Sequence, residues 1–177
     1  MPSTELRTPR LLLSPPVIAD LPRLLELGDD PTLAEMTLNI PHPYREEDAV
    51  WWLNKAITGR EDGSAYIFAI REGETGRFLG GIGLHLEARH RRAEAGYWIG
   101  KPYRGQGYVT EALGRLLRFG FEELDVHRIQ ATHWVGNPAS GRVMLKNGME
   151  LEGELKDYYF RDGKARSVFL YRILRGQ

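Results

Sequence analysis

The feature that most constrains this sequence is residues 97–113, where an apolar, strand-like run enters a glycine-rich turn that opens into an amphipathic helix. Gly105 and Gly107, separated by one residue, allow the turn to curl with its backbone N–H groups directed inward. The helix that follows adds unpaired N–H groups and the positive end of its dipole. The run therefore predicts a pocket for pyrophosphate formed by main chain, and with it a nucleotide-like cofactor.

The elements around this turn predict the fold class. A strand, a helix at residues 108–124 and a strand at residues 128–134 follow one another, an order that predicts a right-handed parallel crossover. Upstream, strands at residues 65–71, 78–86 and 93–100 are joined by short turns and predict an antiparallel meander. We therefore predict an α/β fold with a central mixed, mostly antiparallel sheet flanked by helices, formed by residues 1–177 as one domain.

The remaining predicted elements lie at both ends of the chain. Pro41 and Pro43 exclude regular structure from residues 40–44. A helix that begins at residue 46 is predicted to carry its apolar side chains on one side: Ala49, Trp52, Leu53, Ala56 and Ile57. Further predicted elements are a strand at residues 10–14, helices at residues 18–27 and 139–146, a strand at residues 150–156 and a final hairpin turning at residues 162–163.

Charge and cysteine content exclude several kinds of partner and chemistry. The chain has 24 basic and 24 acidic residues, so we expect no general attraction to nucleic acid or to an anionic membrane. It contains no cysteine, which excludes disulfides, cysteine–metal sites and a cysteine nucleophile. His85 and His133 stand alone without ligand spacing, so no metal site is expected. Without a signal-peptide pattern or an apolar run of membrane length, a cytoplasmic protein is the expectation.

Four segments together carry a family resemblance: residues 8–13, 93–100, 103–112 and 137–149. In this order and spacing they resemble the GNAT superfamily of acyl-CoA-dependent N-acetyltransferases, over nearly the whole chain. The closest resemblance is to the RimJ/RimL-like group, which acetylates ribosomal-protein N-termini. The resemblance implies the GNAT-like (acyl-CoA N-acyltransferase) fold. Val109 departs from the family pattern, which usually has a small residue at that position, and Met149 replaces the usual phenylalanine.

The resemblance also implies how acetyl-CoA is held. Its pyrophosphate is expected on the backbone of residues 104–110, and its pantetheine arm along a strand that is splayed from its neighbour. The implied cofactor-binding residues are Tyr97, Trp98, Ile99, Arg104, Gly105, Gln106, Gly107, Tyr108, Val109, Thr110 and Asn137. Arg142 and Lys146, four residues apart on the next helix, are interpreted as phosphate ligands or, with more weight, as solvated surface charges.

The chemistry requires a modest proton acceptor and a partner for the leaving thiolate. A protein α-amine has a pKa of about 8, against about 10.4 for lysine, so a weak base acting through water suffices. Glu94 matches a family acidic position and is the candidate base, with a structural ion pair as the alternative. Ser140 matches the serine three residues after the family asparagine and is the candidate for the thiolate, with a helix N-terminal role as the alternative. Met144 occupies the place where many members have a tyrosine.

These residues lead to one leading function and two alternatives. Because no cysteine can form an acyl-enzyme, we expect direct attack in a ternary complex, with a protein or peptide N-terminal amine as acceptor. The alternatives are transfer to a small-molecule amine (a polyamine, amino acid or antibiotic) and a non-catalytic acyl-CoA-binding module. His42, Tyr44 and Tyr159 are predicted to border the acceptor site. Adjacent tryptophans, Trp51 and Trp52, cannot both face one core, and with the resemblance they suggest a homodimer.

Overall fold

The computed structural model describes residues 2–176. Within this range, eight strands form one sheet and there are five α-helices. The strands are β1 (Leu6–Arg7), β2 (Leu11–Ser14), β3 (Ala65–Glu72), β4 (Phe78–Glu87), β5 (Arg92–Ile99), β6 (Arg128–Trp134), β7 (Glu150–Arg161) and β8 (Lys164–Leu174). The helices are α1 (Leu21–Gly28), α2 (Pro31–Met36), α3 (Glu46–Asp62), α4 (Tyr108–Glu123) and α5 (Pro138–Lys146).

The sheet has the predicted mixed topology. Its strands lie in the order β1-β2-β3-β4-β5-β6-β8-β7. β5 and β6 are parallel, and every other neighbouring pair is antiparallel. Helix α4 connects the parallel pair, as a parallel connection requires a crossover. The predicted meander and the strand–helix–strand unit are therefore confirmed.

Helices cover both faces of the sheet. On one face α4 buries Leu113, Leu116 and Phe119, and the ring of Phe119 meets that of Phe68 edge-on at 5.5 Å. On the other face α1 and α3 pack over Phe78 and its neighbours in a second cluster. Residues 65–70 of β3 are buried without alternation, because helices lie on both sides of that strand.

Several elements differ from the sequence prediction. Helix α2 was not predicted; the Asp30 side chain caps it by accepting from the Thr32 N–H at 3.0 Å. Strand β7 continues past residue 156, because a register shift between Leu155 and Tyr159 carries the pairing onward. Of the apolar residues predicted on one side of α3, Ala49, Leu53 and Ala56 are buried, whereas Ile57 is 52% exposed.

The two adjacent tryptophans of α3 have different environments. Trp52 packs into the cluster under α1 and α3, whereas Trp51 is 54% exposed. This division is what neighbouring positions on one helix require, because they point about 100° apart. The homodimer suggested by these residues stays a prediction.

Candidate active site

Strands β5 and β6 separate partway along their length. Their parallel pairing begins at Arg92–Arg128 and ends at Glu94–Gln130. β5 nevertheless remains paired with β4 as far as Ile99. On the side that faces β6, residues 95–99 therefore present main-chain groups to which β6 makes no pairing, and an extended ligand can bind there as an added strand would.

The glycine-rich turn lies directly after this splayed strand. Gly105 and Gly107 have φ of 74° and 79°, in the left-handed region that L-residues avoid. A Cβ at Gly105 would meet no atom within 4 Å, so glycine is needed there for its conformation rather than for space. Gly107 is the N-cap of α4, and the first N–H groups of that helix open onto the same turn.

A cleft of about 1070 Å³ joins the turn to the gap between the strands, at the upper end of the size usual for a small-molecule site. Most of the predicted site residues lie in its wall. From the predicted set these are Tyr44, Glu94, Tyr97, Trp98, Ile99, Arg104, Gly105, Gly107, Tyr108, Val109, Thr110, Asn137, Ser140 and Tyr159. Two predicted residues, His42 and Gln106, do not line the cleft.

The positions of these two residues have local causes. The Gln106 amide turns back and donates to the Pro102 carbonyl oxygen at 2.9 Å, so only its main chain belongs to the turn. The His42 Nδ1 lies 3.0 Å from an Asp29 carboxylate oxygen, and the His42 side chain is 42% exposed. The main-chain role predicted for Gln106 and the acceptor-site role predicted for His42 stay predictions.

Arg104 connects the turn to helix α2. Its guanidinium lies 2.5 Å from the Asp30 carboxylate. Burial alone would raise the pKa of Asp30, but hydrogen bonds from Arg104 and the Thr32 N–H outweigh it, and the pKa is lowered. The carboxylate is thus held ionised, and the ion pair holds the start of α2 beside the glycine-rich turn.

A hydroxyl pair lies on the α5 side of the splayed strand. The Tyr97 hydroxyl is 2.8 Å from Ser140 Oγ and 3.2 Å from the Ser140 carbonyl oxygen. Because a carbonyl oxygen can only accept, Tyr97 is a donor here. Burial raises the pKa of Tyr97 to about 12, which keeps it protonated. The sequence assigned Tyr97 only a main-chain role; alternation along β5 was the signal that its side chain faces α5.

Asn137 holds the start of α5 in place. Its side-chain oxygen caps the helix by accepting from the Ser140 N–H at 3.3 Å. Among residues 2–176, the Asn137 amide nitrogen makes no hydrogen bond, and the residue lies in the cleft wall. Its NH₂ group is therefore available to a ligand carbonyl, the part that the resemblance implies for it.

Glu94 lies on the opposite face of the sheet from this hydroxyl pair. It is three positions before Tyr97 in a regularly paired strand, so the two side chains emerge on opposite sides. Burial raises the pKa of Glu94, while hydrogen bonds with Gln130 and Thr132 act in the opposite sense. A raised pKa makes this carboxylate a better proton acceptor.

Sequence reasoning missed much of the wall around Glu94. His85 is directly opposite Glu94 in the β4–β5 register and shares its face. Burial, and to a lesser extent Lys55, lowers the pKa of His85. Other missed residues of this half of the cleft are Leu38, Asn39, Ile40, Asp48, Lys55, Trp51, Thr132 and Trp134. Together with His85 they come from β4, α3, β6 and the loop after α2, and no single motif contains them.

Arg142 and Lys146 lie on α5, in the half of the cleft away from α3 and Glu94. Both are exposed, and both belong to the cleft wall. From the sequence, solvated surface charges were the favoured interpretation of both residues. Their position on α5, beside the start of α4, also allows them to face an anionic group bound in the glycine-rich turn.

The fold and the cleft together define a class of protein. A main-chain anion pocket at a helix N-terminus, an unpaired strand edge beside it, and a carboxylate and a hydroxyl pair on opposite faces suit acyl transfer from a phosphorylated thioester cofactor. Residues 10–150 match the family model described as "Acetyltransferase (GNAT) domain". The chain therefore belongs to the GNAT acetyltransferases, a family of acetyl-CoA-dependent N-acetyltransferases.

Individual relatives agree with this assignment. The chain is 32% identical to a ribosomal-protein-serine acetyltransferase of Escherichia coli (strain K12) over 150 residues, 82% of each chain. It is 34% identical over 109 residues to the uncharacterized N-acetyltransferase YoaA of Bacillus subtilis, and the match spans 62% of that protein. A GNAT-family acetyltransferase from Bacillus anthracis superposes with a TM-score of 0.88 at 26% identity, covering 98% of this chain and 99% of that one. The predicted likeness to ribosomal-protein acetyltransferases is confirmed.

Within residues 2–176, no helix is long and apolar enough to cross a membrane. No group of three or more His, Asp or Glu side chains within that range could hold a metal ion.

Proposed function

We propose that this protein transfers the acetyl group of acetyl-CoA to the N-terminal α-amine of a protein or peptide, by direct attack in a ternary complex. The observation that carries the proposal is the splay of β5 from β6, which begins after Glu94 and separates that carboxylate from the Tyr97–Ser140 hydroxyl pair. Such an acceptor places the reaction in the cytoplasm, where new protein N-termini are found.

The residues present fit acetyl-CoA. The left-handed glycines of the turn and the N-terminus of α4 supply backbone N–H groups for the pyrophosphate. The unpaired edge of residues 95–99 and the amide of Asn137 supply partners for the pantetheine amides. Acetyl-CoA, when bound, supplies the acetyl group as a thioester with a thiolate leaving group.

Glu94 is the proposed proton acceptor for the attacking amine. Because burial raises its pKa, the Glu94 carboxylate binds a proton from the attacking amine more readily than an exposed carboxylate does. Since the side chain faces the α3 side of the sheet, the acceptor enters from that side. The alternative reading of Glu94, a purely structural contact, predicts no effect of its removal on the pH profile.

Ser140 is the proposed donor to the leaving thiolate. In the 2.8 Å contact between the two hydroxyls either one can donate. In the arrangement proposed here the Tyr97 hydroxyl donates to Ser140 Oγ, and the hydrogen of the Ser140 hydroxyl then points into the cleft. The proton that leaves the amine is thus taken up on one face of the sheet, and a proton is supplied to sulfur on the other. The hydroxyl pair also argues against a non-catalytic module, although Val109 in the turn motivated that alternative.

A small-molecule amine is the second candidate acceptor. The wall around Glu94 also contains Asp48 and the rings of Trp51, Trp134 and Tyr159. Carboxylates and aromatic faces attract cations, so a polyamine would also find favourable contacts there.

Two measurements test the proposal in sequence. Calorimetric titration with acetyl-CoA, with CoA for comparison, is expected to show saturable binding to one site. A thiol-release assay then compares peptides bearing free N-termini, the same peptides with blocked N-termini, and polyamines; a protein without cysteine gives no background in this assay. Release only with free N-termini supports the proposal, release only with polyamines replaces it by the second candidate, and binding without release to any amine supports the non-catalytic module.

A further inference from the structure

A short loop forms one wall of the acceptor half of the cleft. Residues 37–40, here named the acceptor loop, follow α2 and have no regular secondary structure. All four of them line the cleft. Tyr159 of β7 lines the same half. The position of the acceptor loop relative to β7 therefore affects the width of the passage to Glu94.

One side chain of β7 holds this loop. The guanidinium of Arg161 donates to the carbonyl oxygens of Ala34 at 2.7 Å, of Ile40 at 3.1 Å and of Thr37. These three acceptors lie 121 to 127 residues away along the chain. The Arg161 side chain is only 17% exposed. A planar fork of N–H donors is the group that can collect several carbonyls of one bend at once.

The carbonyl oxygens involved need such a partner. Those of Ala34 and Thr37 lie at the C-terminal end of α2, where helical carbonyls have no intrahelical partner and a cation is favoured. Among residues 2–176, no other side chain from outside α2 and the acceptor loop donates to the carbonyls of residues 34, 37 and 40. The other end of α2 is held by Arg104 through Asp30. Arg104 thus holds the start of α2, and Arg161 holds its end together with the acceptor loop.

The same strand supplies both the fastening and the facing wall. Tyr159 and Arg161 are two positions apart in a locally regular stretch of β7, paired with Arg166 and Lys164 of β8, so they lie on the same face. A link from Arg161 to the loop therefore sets the separation between the loop and the Tyr159 ring. We propose that Arg161 is a specificity-determining positioning residue that holds the acceptor loop and so fixes the width of the acceptor passage.

The proposal rests on the proposed function, since it assigns the passage to the amine acceptor. A passage of fixed width between a main-chain loop and aromatic rings admits an extended, unbranched chain end, such as a peptide N-terminus with a small first residue. Release of the loop is expected to weaken acceptor binding and to reduce discrimination against bulky first residues. The cofactor turn, held by separate contacts, is expected to be unaffected.

The test compares Arg161→Ala and Arg161→Lys with a matched control, Arg7→Ala. Arg7 is 69% exposed, pairs with Glu5 and belongs to β1 at the far edge of the sheet from β7. Hydrogen–deuterium exchange is measured over residues 34–40. KM and kcat for peptides with small and bulky first residues are measured together with the Kd for acetyl-CoA.

We expect Arg161→Ala to increase amide exchange in residues 34–40 and to raise the KM for the preferred acceptor about tenfold, with kcat and the Kd for acetyl-CoA within twofold. Arg161→Lys, which keeps the charge but not the fork, is expected to lie between this variant and the wild type. Unchanged exchange or unchanged acceptor KM overturns the proposal. If the wild type binds acetyl-CoA but acetylates no amine, the proposed function fails; if it acetylates peptides with the same selectivity as Arg161→Ala, only the role of Arg161 fails.

Discussion

Tyr97→Phe tests whether the hydroxyl pair takes part in the reaction. The substitution removes one oxygen and retains the ring, so the packing of β5 against α5 is preserved. It removes the contacts of 2.8 Å to Ser140 Oγ and 3.2 Å to the Ser140 carbonyl oxygen. We therefore expect the Kd for acetyl-CoA to stay unchanged.

The size of the effect follows from the hydrogen bond that is lost. A neutral hydrogen bond contributes about 0.5–1.5 kcal/mol net, and 1.4 kcal/mol of activation free energy corresponds to about a tenfold change in rate. If the bond orients Ser140 in the transition state, kcat falls roughly twofold to tenfold. The free energy of unfolding falls by no more than about 1.5 kcal/mol.

The assay is thiol release at saturating acetyl-CoA, with urea unfolding of the same samples. Tyr171→Phe is the matched control, because Tyr171 is also buried and lies beside the His133 ring but makes no hydrogen bond to Ser140. A double-mutant cycle with Ser140→Ala separates the two roles. If Tyr97 acts through Ser140, the second substitution adds little; independent, multiplicative losses, or an undiminished kcat in Tyr97→Phe, would refute the reasoning.

Four further substitutions, one of them a control, test the site and the fold. Glu94→Gln is expected to lower kcat/KM by about 10²-fold. In the wild type we expect kcat/KM to rise with pH as Glu94, whose pKa is raised, loses its proton. This rise should be absent from the pH profile of the variant. Gly107→Ala puts a Cβ at a φ of 79° and should cost about 1–2 kcal/mol in urea unfolding and weaken acetyl-CoA in calorimetry; Gly163→Ala, at a φ of 73° in the β7–β8 turn, should show a similar unfolding cost with an unchanged Kd. Asp20→Ala leaves the buried Arg71 guanidinium, now bonded to it at 2.7 and 2.8 Å, without its carboxylate, and should lower the free energy of unfolding by about 3–5 kcal/mol.

The regular framework was predictable because its signals are local. Apolar periodicity, turn residues and the chirality of the crossover are properties of short stretches, and they identified the meander, α4 and the parallel β5–β6 pair. Helix α2 was missed although Asp30 and Pro31 form a helix start, because six residues show too little periodicity to detect.

The half of the cleft around the glycine-rich turn was likewise predictable from one motif. Gly105 and Gly107 have the left-handed backbone that the turn requires, and the predicted residues around them line the cleft. Even there, the side chain of Gln106 turned away to Pro102, because the choice among side-chain hydrogen bonds is made by neighbours in space.

The sequence by itself thus determined which strands are neighbours around the crossover and where the glycine-rich turn lies, since both follow from residues close together in the chain. Only the tertiary structure decided the rest: Tyr97 meets Ser140 across 43 positions, and Arg161 meets Ile40 across 121. Each contact depends on the relative placement of whole elements. A side chain with several donors can form hydrogen bonds with many acceptors, and the local sequence does not distinguish among them. Packing selects among them, which is why the proposed acceptor passage could be described only from the folded chain.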